Sequence, residues 1–178
     1  MAMGIEGLTT VKELEFLYDT ILNEVPIIGL VVELGTFKGR STAAICGAVV
    51  DRPGHLFVIG IDHFKMQHHG KNDLWTTHNN LAALGYFPGL MRAESTKPQP
   101  SIKQVSALII DTDHKASVLN KELDEWLPKI VDGGVIILHD YGSAKWPEIT
   151  DVVDQRLTNS SDWELLGLAG MMVAFRKL

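Results

Sequence analysis

The 178-residue sequence has one cysteine, no excess of basic charge and no internal repeat or low-complexity tract. It also has no apolar run near the ~20 residues that a membrane span requires. A single cysteine excludes an internal disulfide, and Cys46, set in the small-residue run from Ala43 to Ala48, reads as part of a helix packed closely on a sheet. A formal net charge of -6 leaves no broad basic surface, which argues against nucleic acid or an anionic membrane as the main partner. Met1 to Leu8 lacks the basic start and apolar middle of a signal peptide, so a cytoplasmic location is expected. What remains, with 46% hydrophobic residues, is a globular chain large enough for one core, read as a single domain over 1–178.

The pattern within that domain alternates. Thr10 and Glu13 have the spacing of a capping box, and Val11, Leu14, Tyr18, Ile21, Leu22 and Val25 follow at helical spacing until Pro26. Ile27 to Val32 reads as a strand buried on both faces, and Ser41 to Val50 as the next helix. Further strands are expected at Leu56–Ile61, Leu90–Arg92, Val105–Ile110 and Val135–Leu138. Leu119, Leu123, Trp126, Leu127 and Ile130 share one helical face, with Asp132-Gly133-Gly134 expected to end that helix. Pro147 opens the last helix, and Trp163–Leu168 and Met171–Arg176 read as an antiparallel pair. The polar, histidine-rich segment 64–89, with a short helix around Leu74 to Leu84, has the character of a lid. Together these imply an α/β fold, a doubly wound, mostly parallel sheet with a C-terminal antiparallel hairpin.

Ligands in such sheets bind beyond the carboxyl ends of the strands, and the polar residues of this chain gather there. The turn Glu33-Leu34-Gly35-Thr36-Phe37-Lys38-Gly39-Arg40-Ser41 lacks the glycine spacing of dinucleotide binders, and Glu33 would repel a pyrophosphate. A ligand with an amino group and a sulfonium, and a carboxylate to meet the helix N-terminus near Ser41, suits those charges better; S-adenosylmethionine is such a ligand. Asp62 could accept both ribose hydroxyls, at about 1.5–3 kcal/mol for each charged hydrogen bond. His63 could lie against the adenine and Ser95 reach its edge, although caps and turns also account for these residues. Asp111, His139 and Asp140 put two carboxylates and an imidazole at adjacent strand ends, a set that suits a divalent cation; helix capping by the two aspartates is the other reading. His114, three residues after Asp111, could face the same cleft and take a proton from a substrate hydroxyl. His68 and His69 read first as loop residues.

These motifs resemble the class I S-adenosylmethionine-dependent methyltransferases, and within them the small metal-dependent O-methyltransferases that include catechol and macrolide-sugar enzymes. The segments that carry the resemblance are Glu33 to Ser41, Ile109 to His114 and Trp126 to Tyr141. It implies a Rossmann-like sheet of seven strands in the order 3-2-1-4-5-7-6. It implies cofactor contacts at Glu33, Gly35, Phe37, Ser41, Asp62, His63 and Ser95, metal ligands at Asp111, His139 and Asp140, and a base at His114. The first position of the final pair is commonly acidic in these enzymes and is His139 here, which lowers the site's negative charge and shifts preference from Mg²⁺ toward Mn²⁺, Fe²⁺ or Zn²⁺. With about one helix before the core, enclosure of the acceptor is expected from segment 64–89 or from a partner subunit; the C-terminal hairpin or the N-terminal helix could pair two copies as a homodimer.

The expected activity is O-methylation of a hydroxyl- or diol-bearing small molecule, assisted by a divalent cation. The alternatives are a metal-independent methyltransferase, a non-catalytic cofactor-binding scaffold of the same fold, and a metal-dependent hydroxylase- or hydrolase-like enzyme using the histidine-rich rim.

Overall fold

The computed structural model describes residues 4–65, 73–97 and 99–178. The elements in chain order are α1 (Val11–Glu24), β1 (Leu30–Leu34), α2 (Arg40–Asp51), β2 (Phe57–Asp62), α3 (Leu74–Ala82), β3 (Gly89–Arg92), β4 (Val105–Ile110), α4 (Ala116–Trp126), β5 (Ile130–Leu138), α5 (Pro147–Val153), β6 (Trp163–Ala169) and β7 (Met172–Lys177). The strands form one sheet in the order β3-β2-β1-β4-β5-β7-β6, as the resemblance implies. The first five pair in parallel, whereas β7 pairs antiparallel to both β5 and β6.

Strand alternation divides the interior into two cores. Val32, Leu34, Leu108, Ile110, Ile136 and Leu138 face α4 and α5, where Leu123, Trp126 and Val153 meet them. Val31, Ala107, Ile109, Val135 and Ile137 face α1 and α2, against Leu17, Ile21, Ile45 and Ala48. All six residues of β4 are buried, the signature of a central parallel strand. Each such aliphatic side chain contributes roughly 1.5–3 kcal/mol on burial. The same alternation puts Glu33 on the α2 side, fully buried.

Two expectations shift. The helix over Leu119 to Trp126 ends at Trp126, and Pro128 occupies a 3-10 turn, Leu127–Lys129, because proline cannot continue the ladder of hydrogen bonds. β5 therefore begins at Ile130, and Gly133 and Gly134 lie inside it, beside an irregularity in the β4–β5 register, rather than closing a helix. In α1 the buried stripe is Leu14, Leu17 and Ile21, while Val11 is 45% exposed. Among the described residues, no helix is long and apolar enough to cross a membrane.

Candidate active site

Parallel pairing brings the ends of β1, β4 and β5 side by side, so the turn after β1 lies against Asp111 and next to His139-Asp140. Gly35, at φ +87°, is the point of contact: a Cβ there would lie 1.8 Å from the Asp111 carbonyl oxygen. The Asp111 N–H donates to the Leu34 carbonyl at 2.9 Å, and the Gly35 N–H to the Ile61 carbonyl at 2.8 Å. The main chain thus locks the two halves of the site together.

Asp62 braces the glycine turn. Its carboxylate accepts the Phe37 N–H at 2.9 Å and the Phe64 N–H at 2.6 Å, and both donors belong to residues with positive φ. α3 holds the same turn from outside: the Thr77 hydroxyl donates to the Phe37 carbonyl at 2.5 Å and the Asn80 amide to the Lys38 carbonyl at 2.9 Å. The described part of segment 64–89 therefore supports the turn. His68 and His69 lie outside the described residues.

Glu33 sits beneath α2, where its Oε2 accepts the Thr42 hydroxyl at 2.5 Å. Its Oε1 is buried without a hydrogen-bond partner. Burial pushes this carboxyl up to about 7, against the pull of the Ser41 and Thr42 hydroxyls. His63 turns locally, its Nδ1 accepting the Lys65 N–H at 2.9 Å. Ser95 is drawn toward α4: its carbonyl accepts the Trp126 indole N–H at 2.7 Å, and its hydroxyl bonds the buried Glu122, which also accepts the Thr112 hydroxyl.

Asp111, His139 and Asp140 each offer one ligand atom, and these atoms lie within 4.8 Å of one another. His139 Nδ1 stands 3.7 Å from Asp111 Oδ1 and 3.5 Å from Asp140 Oδ2, within ion-pair distance but without hydrogen-bond geometry. Both imidazole nitrogens are buried and unpartnered, and the donor set of two carboxylate oxygens and one nitrogen fits a divalent ion such as Mn²⁺, Fe²⁺ or Zn²⁺. Burial acts to lower the His139 pKa, but the Asp140, Asp111 and Glu13 carboxylates prevail and push it up to about 9. Burial acts to raise the Asp140 pKa, but His114 and His139 hold it below the usual carboxylate range. Desolvation at the strand ends raises the Asp111 carboxyl despite the opposing pull of His139.

His114 Nδ1 meets Asp140 Oδ2 at 2.7 Å, and its ring stacks on Trp146 with centroids 4.8 Å apart. That carboxylate raises the imidazole's affinity for a proton, outweighing partial burial. In the neutral ring the Asp140 contact keeps the proton on Nδ1 and leaves Nε2 as the acceptor.

One cavity of about 230 Å³ joins these parts: Gly35, Phe37 and Ser41 line it together with Asp111, His114, His139 and Asp140. Glu33, Asp62, His63 and Ser95 do not line it. Its remaining wall includes Leu8, Thr9, Lys145, Trp146 and Met171, which the sequence pattern did not single out. The stretch before α1 is tied to the glycine turn by Lys38–Glu6 at 2.8 Å and by Arg40 donating to the Gly7 carbonyl at 2.9 Å. Among the described residues, Gly7, Leu8 and Thr9 supply part of the wall. No short motif marks Leu8 or Met171 for this role, because only folding brings them to the rim.

The family model described as a methyltransferase domain matches residues 32–141, more than half of the chain, from within β1 to just past Asp140. This chain belongs to the methyltransferase domain family. Its fold is that of the class I S-adenosylmethionine-dependent methyltransferases. Similar structures include the O-methyltransferase NovP, with a TM-score of 0.72 at 20% identity over 94% of this chain and 80% of that one. CalS11, a TDP-rhamnose 3'-O-methyltransferase of calicheamicin biosynthesis, superposes with a TM-score of 0.66 at 15% identity over 92% of this chain and 76% of that one. An rRNA methylase from Streptococcus thermophilus shares the fold with a TM-score of 0.64 at 17% identity, over 97% of this chain and 99% of that one. No curated protein matches this methyltransferase by sequence. At these identities the structural likenesses speak for the fold alone.

Proposed function

We propose that this methyltransferase transfers the methyl group of S-adenosylmethionine to a hydroxyl- or diol-bearing small molecule, assisted by a divalent cation at Asp111, His139 and Asp140. The observation that carries this reading is the shared cavity, which the glycine turn and the Asp-His-Asp cluster line together. A divalent ion, when bound, makes a nearby hydroxyl more acidic and orients it.

The chain's own residues would do the rest. Asp62 holds the turn that receives the cofactor, and Phe37 and Ser41 line the side facing the methionine moiety. Glu33 Oε1, His63 and Ser95 are assigned to the cofactor's amino group, adenine face and adenine edge. His114 accepts the acceptor's proton at Nε2 while Asp140 steadies Nδ1 and Trp146 fixes the ring plane. The acceptor oxygen bonds to the methyl carbon as the carbon–sulfur bond breaks, leaving S-adenosylhomocysteine and a proton on His114. Positioning supplies much of the rate, because the sulfonium is already reactive. Leu8, Trp146 and Met171 offer an apolar wall for the acceptor's body. The net charge of -6 favours a small molecule over RNA.

The test begins with calorimetric titration of S-adenosylhomocysteine into wild type and Asp62→Ala, with folding confirmed for both. A micromolar constant, worth roughly -8 kcal/mol, and a large loss in the variant are expected. Methyl transfer from labelled cofactor to catechols and deoxysugar glycosides is then measured with and without a chelator. Loss on chelation and recovery with Mn²⁺ support metal assistance; turnover that survives thorough chelation refutes it.

A further inference from the structure

Glu13 belongs to the capping box of α1, and that role uses only half of its carboxylate. Oε2 accepts the Thr10 N–H and the Thr10 hydroxyl, both at 2.8 Å, which completes the cap. Oε1 points elsewhere: it accepts the Met171 N–H at 2.8 Å and lies 3.6 Å from His139 Nε2. The side chain is almost wholly buried, at 2% exposure.

The β6–β7 turn is shaped around that oxygen. Gly170 has φ +60°, and a Cβ on it would stand 2.5 Å from Glu13 Oε1. Met171, having donated its N–H to Glu13, accepts the N–H of Tyr141 through its carbonyl at 2.9 Å, next in sequence to Asp140. A carboxylate on the first helix, a hairpin tip and the His139-Asp140 pair therefore form one packed unit.

His139 is the one imidazole in a set otherwise of carboxylates, and an imidazole brings a requirement that a carboxylate lacks. It ligates through one nitrogen only if its proton sits on the other. Nδ1 is the nitrogen nearest Asp111 and Asp140, and Nε2 is the one that faces Glu13. We infer that Glu13 is a positioning residue for metal binding: its Oε1, at ion-pair distance from Nε2 rather than hydrogen-bonded to it, favours the His139 proton on Nε2 and so presents Nδ1, with its lone pair, to the ion. The inference rests on the metal-assisted reading above and adds to it a fourth residue, outside the coordination set and far from it in sequence.

The test uses the full chain and Mn²⁺ as the probe, with affinities from calorimetry in wild type, Glu13→Gln, His139→Asp and the double variant. Glutamine at this position can still close the capping box. With its carbonyl oxygen kept on Thr10, its amide would face both Nε2 and the Met171 N–H as a donor, giving up the Met171 hydrogen bond, forcing the imidazole proton onto Nδ1 and blocking that ligand. Glu13→Gln is expected to weaken Mn²⁺ binding about 10-fold or more in the wild-type background. In the His139→Asp background the same change should leave affinity within about twofold or improve it, since no imidazole remains to orient.

An equal loss in both backgrounds would show that Glu13 acts through its helix or its charge, and would overturn the inference. Unchanged Mn²⁺ affinity in Glu13→Gln would overturn it while leaving the metal reading intact. Absence of Mn²⁺ binding to wild type would remove the metal reading and the inference together. Histidine ¹⁵N NMR with Zn²⁺ as a diamagnetic probe gives a readout that does not depend on His139→Asp folding. His139 should be protonated at Nε2 and metal-bound at Nδ1 in wild type, and the opposite tautomer, or loss of the metal-bound signal, is expected in Glu13→Gln. An unchanged tautomer there counts against the inference.

Discussion

A fully buried carboxyl with one unpartnered oxygen is costly to ionise, and Glu33 is such a group. Its pKa in the folded protein is about 7, against an ordinary 4.5 in the unfolded chain. Between those values the folded state binds the extra proton, so stability is greatest at the acidic end of the window and falls as pH rises through it. The difference corresponds to about 3 kcal/mol, lost between roughly pH 4.5 and 7 and constant above. Thermal or denaturant melts of the ligand-free protein should show this slope. Glu33→Gln should flatten it and be the more stable form at pH 8; an identical pH profile for the variant would mean that Glu33 is already ionised in the fold. The sequence marked Glu33 as an acid at a strand end, but its complete burial depends on α2 lying across it. The second oxygen of Glu13 was equally hidden, because its donor, Met171, is 158 positions away.

At the level of elements, the turn between β1 and α2 does more than end a strand. Gly35 lets the turn touch the Asp111 main chain, and its positive φ is a conformation that side chains other than glycine adopt at a cost of about 1–2 kcal/mol. With a Cβ at 1.8 Å from a backbone oxygen, relief requires the two strand ends to separate. Gly35→Ala should therefore abolish detectable S-adenosylhomocysteine binding and lower the melting temperature, whereas a near-normal binding constant would remove the turn from the cofactor site. Gly170→Ala addresses the hairpin, since its Cβ would occupy the space of Glu13 Oε1. It should weaken Mn²⁺ affinity as Glu13→Gln does, without touching any ligand. These elements were differently legible. The apolar runs gave β1, β2 and β4 to within a few residues, because burial in the sheet leaves few other options, while the C-terminal pair was marked by the Ala169-Gly170 break between two runs and not by burial, β6 being an exposed edge strand. The start of β5 was missed because Gly133-Gly134 resembles a helix terminus in sequence, while its actual setting beside the β4–β5 irregularity is a property of strand pairing. The wall from Leu8, Trp146 and Met171 carries no local signature at all, since its members come from three distant segments.

For the molecule as a whole, the parallel core and its strand order bring Gly35, Asp111, His114, His139 and Asp140 to one rim, and the contact between Gly35 and Asp111 predicts that occupancy of its two halves is interdependent. S-adenosylhomocysteine at a hundred times its dissociation constant should stabilise the fold by about 2.7 kcal/mol, a rise in melting temperature of roughly 5–11 °C for a chain of this size. Mn²⁺ at Asp111 would fix the same stretch of main chain that abuts Gly35, so part of the ordering required by one ligand is already done by the other. Positive coupling follows: saturating Mn²⁺ should tighten S-adenosylhomocysteine binding by about fivefold or more, and thermodynamic linkage requires the cofactor product to tighten Mn²⁺ by the same factor. Paired calorimetric titrations, each ligand measured with and without the other, check both arms. Equal factors above one would tie the glycine turn and the Asp-His-Asp cluster into one site. Affinities independent of the second ligand would mean that the contact between Gly35 and Asp111 is architectural only, and that cofactor and metal are read by separately ordered halves of the cavity.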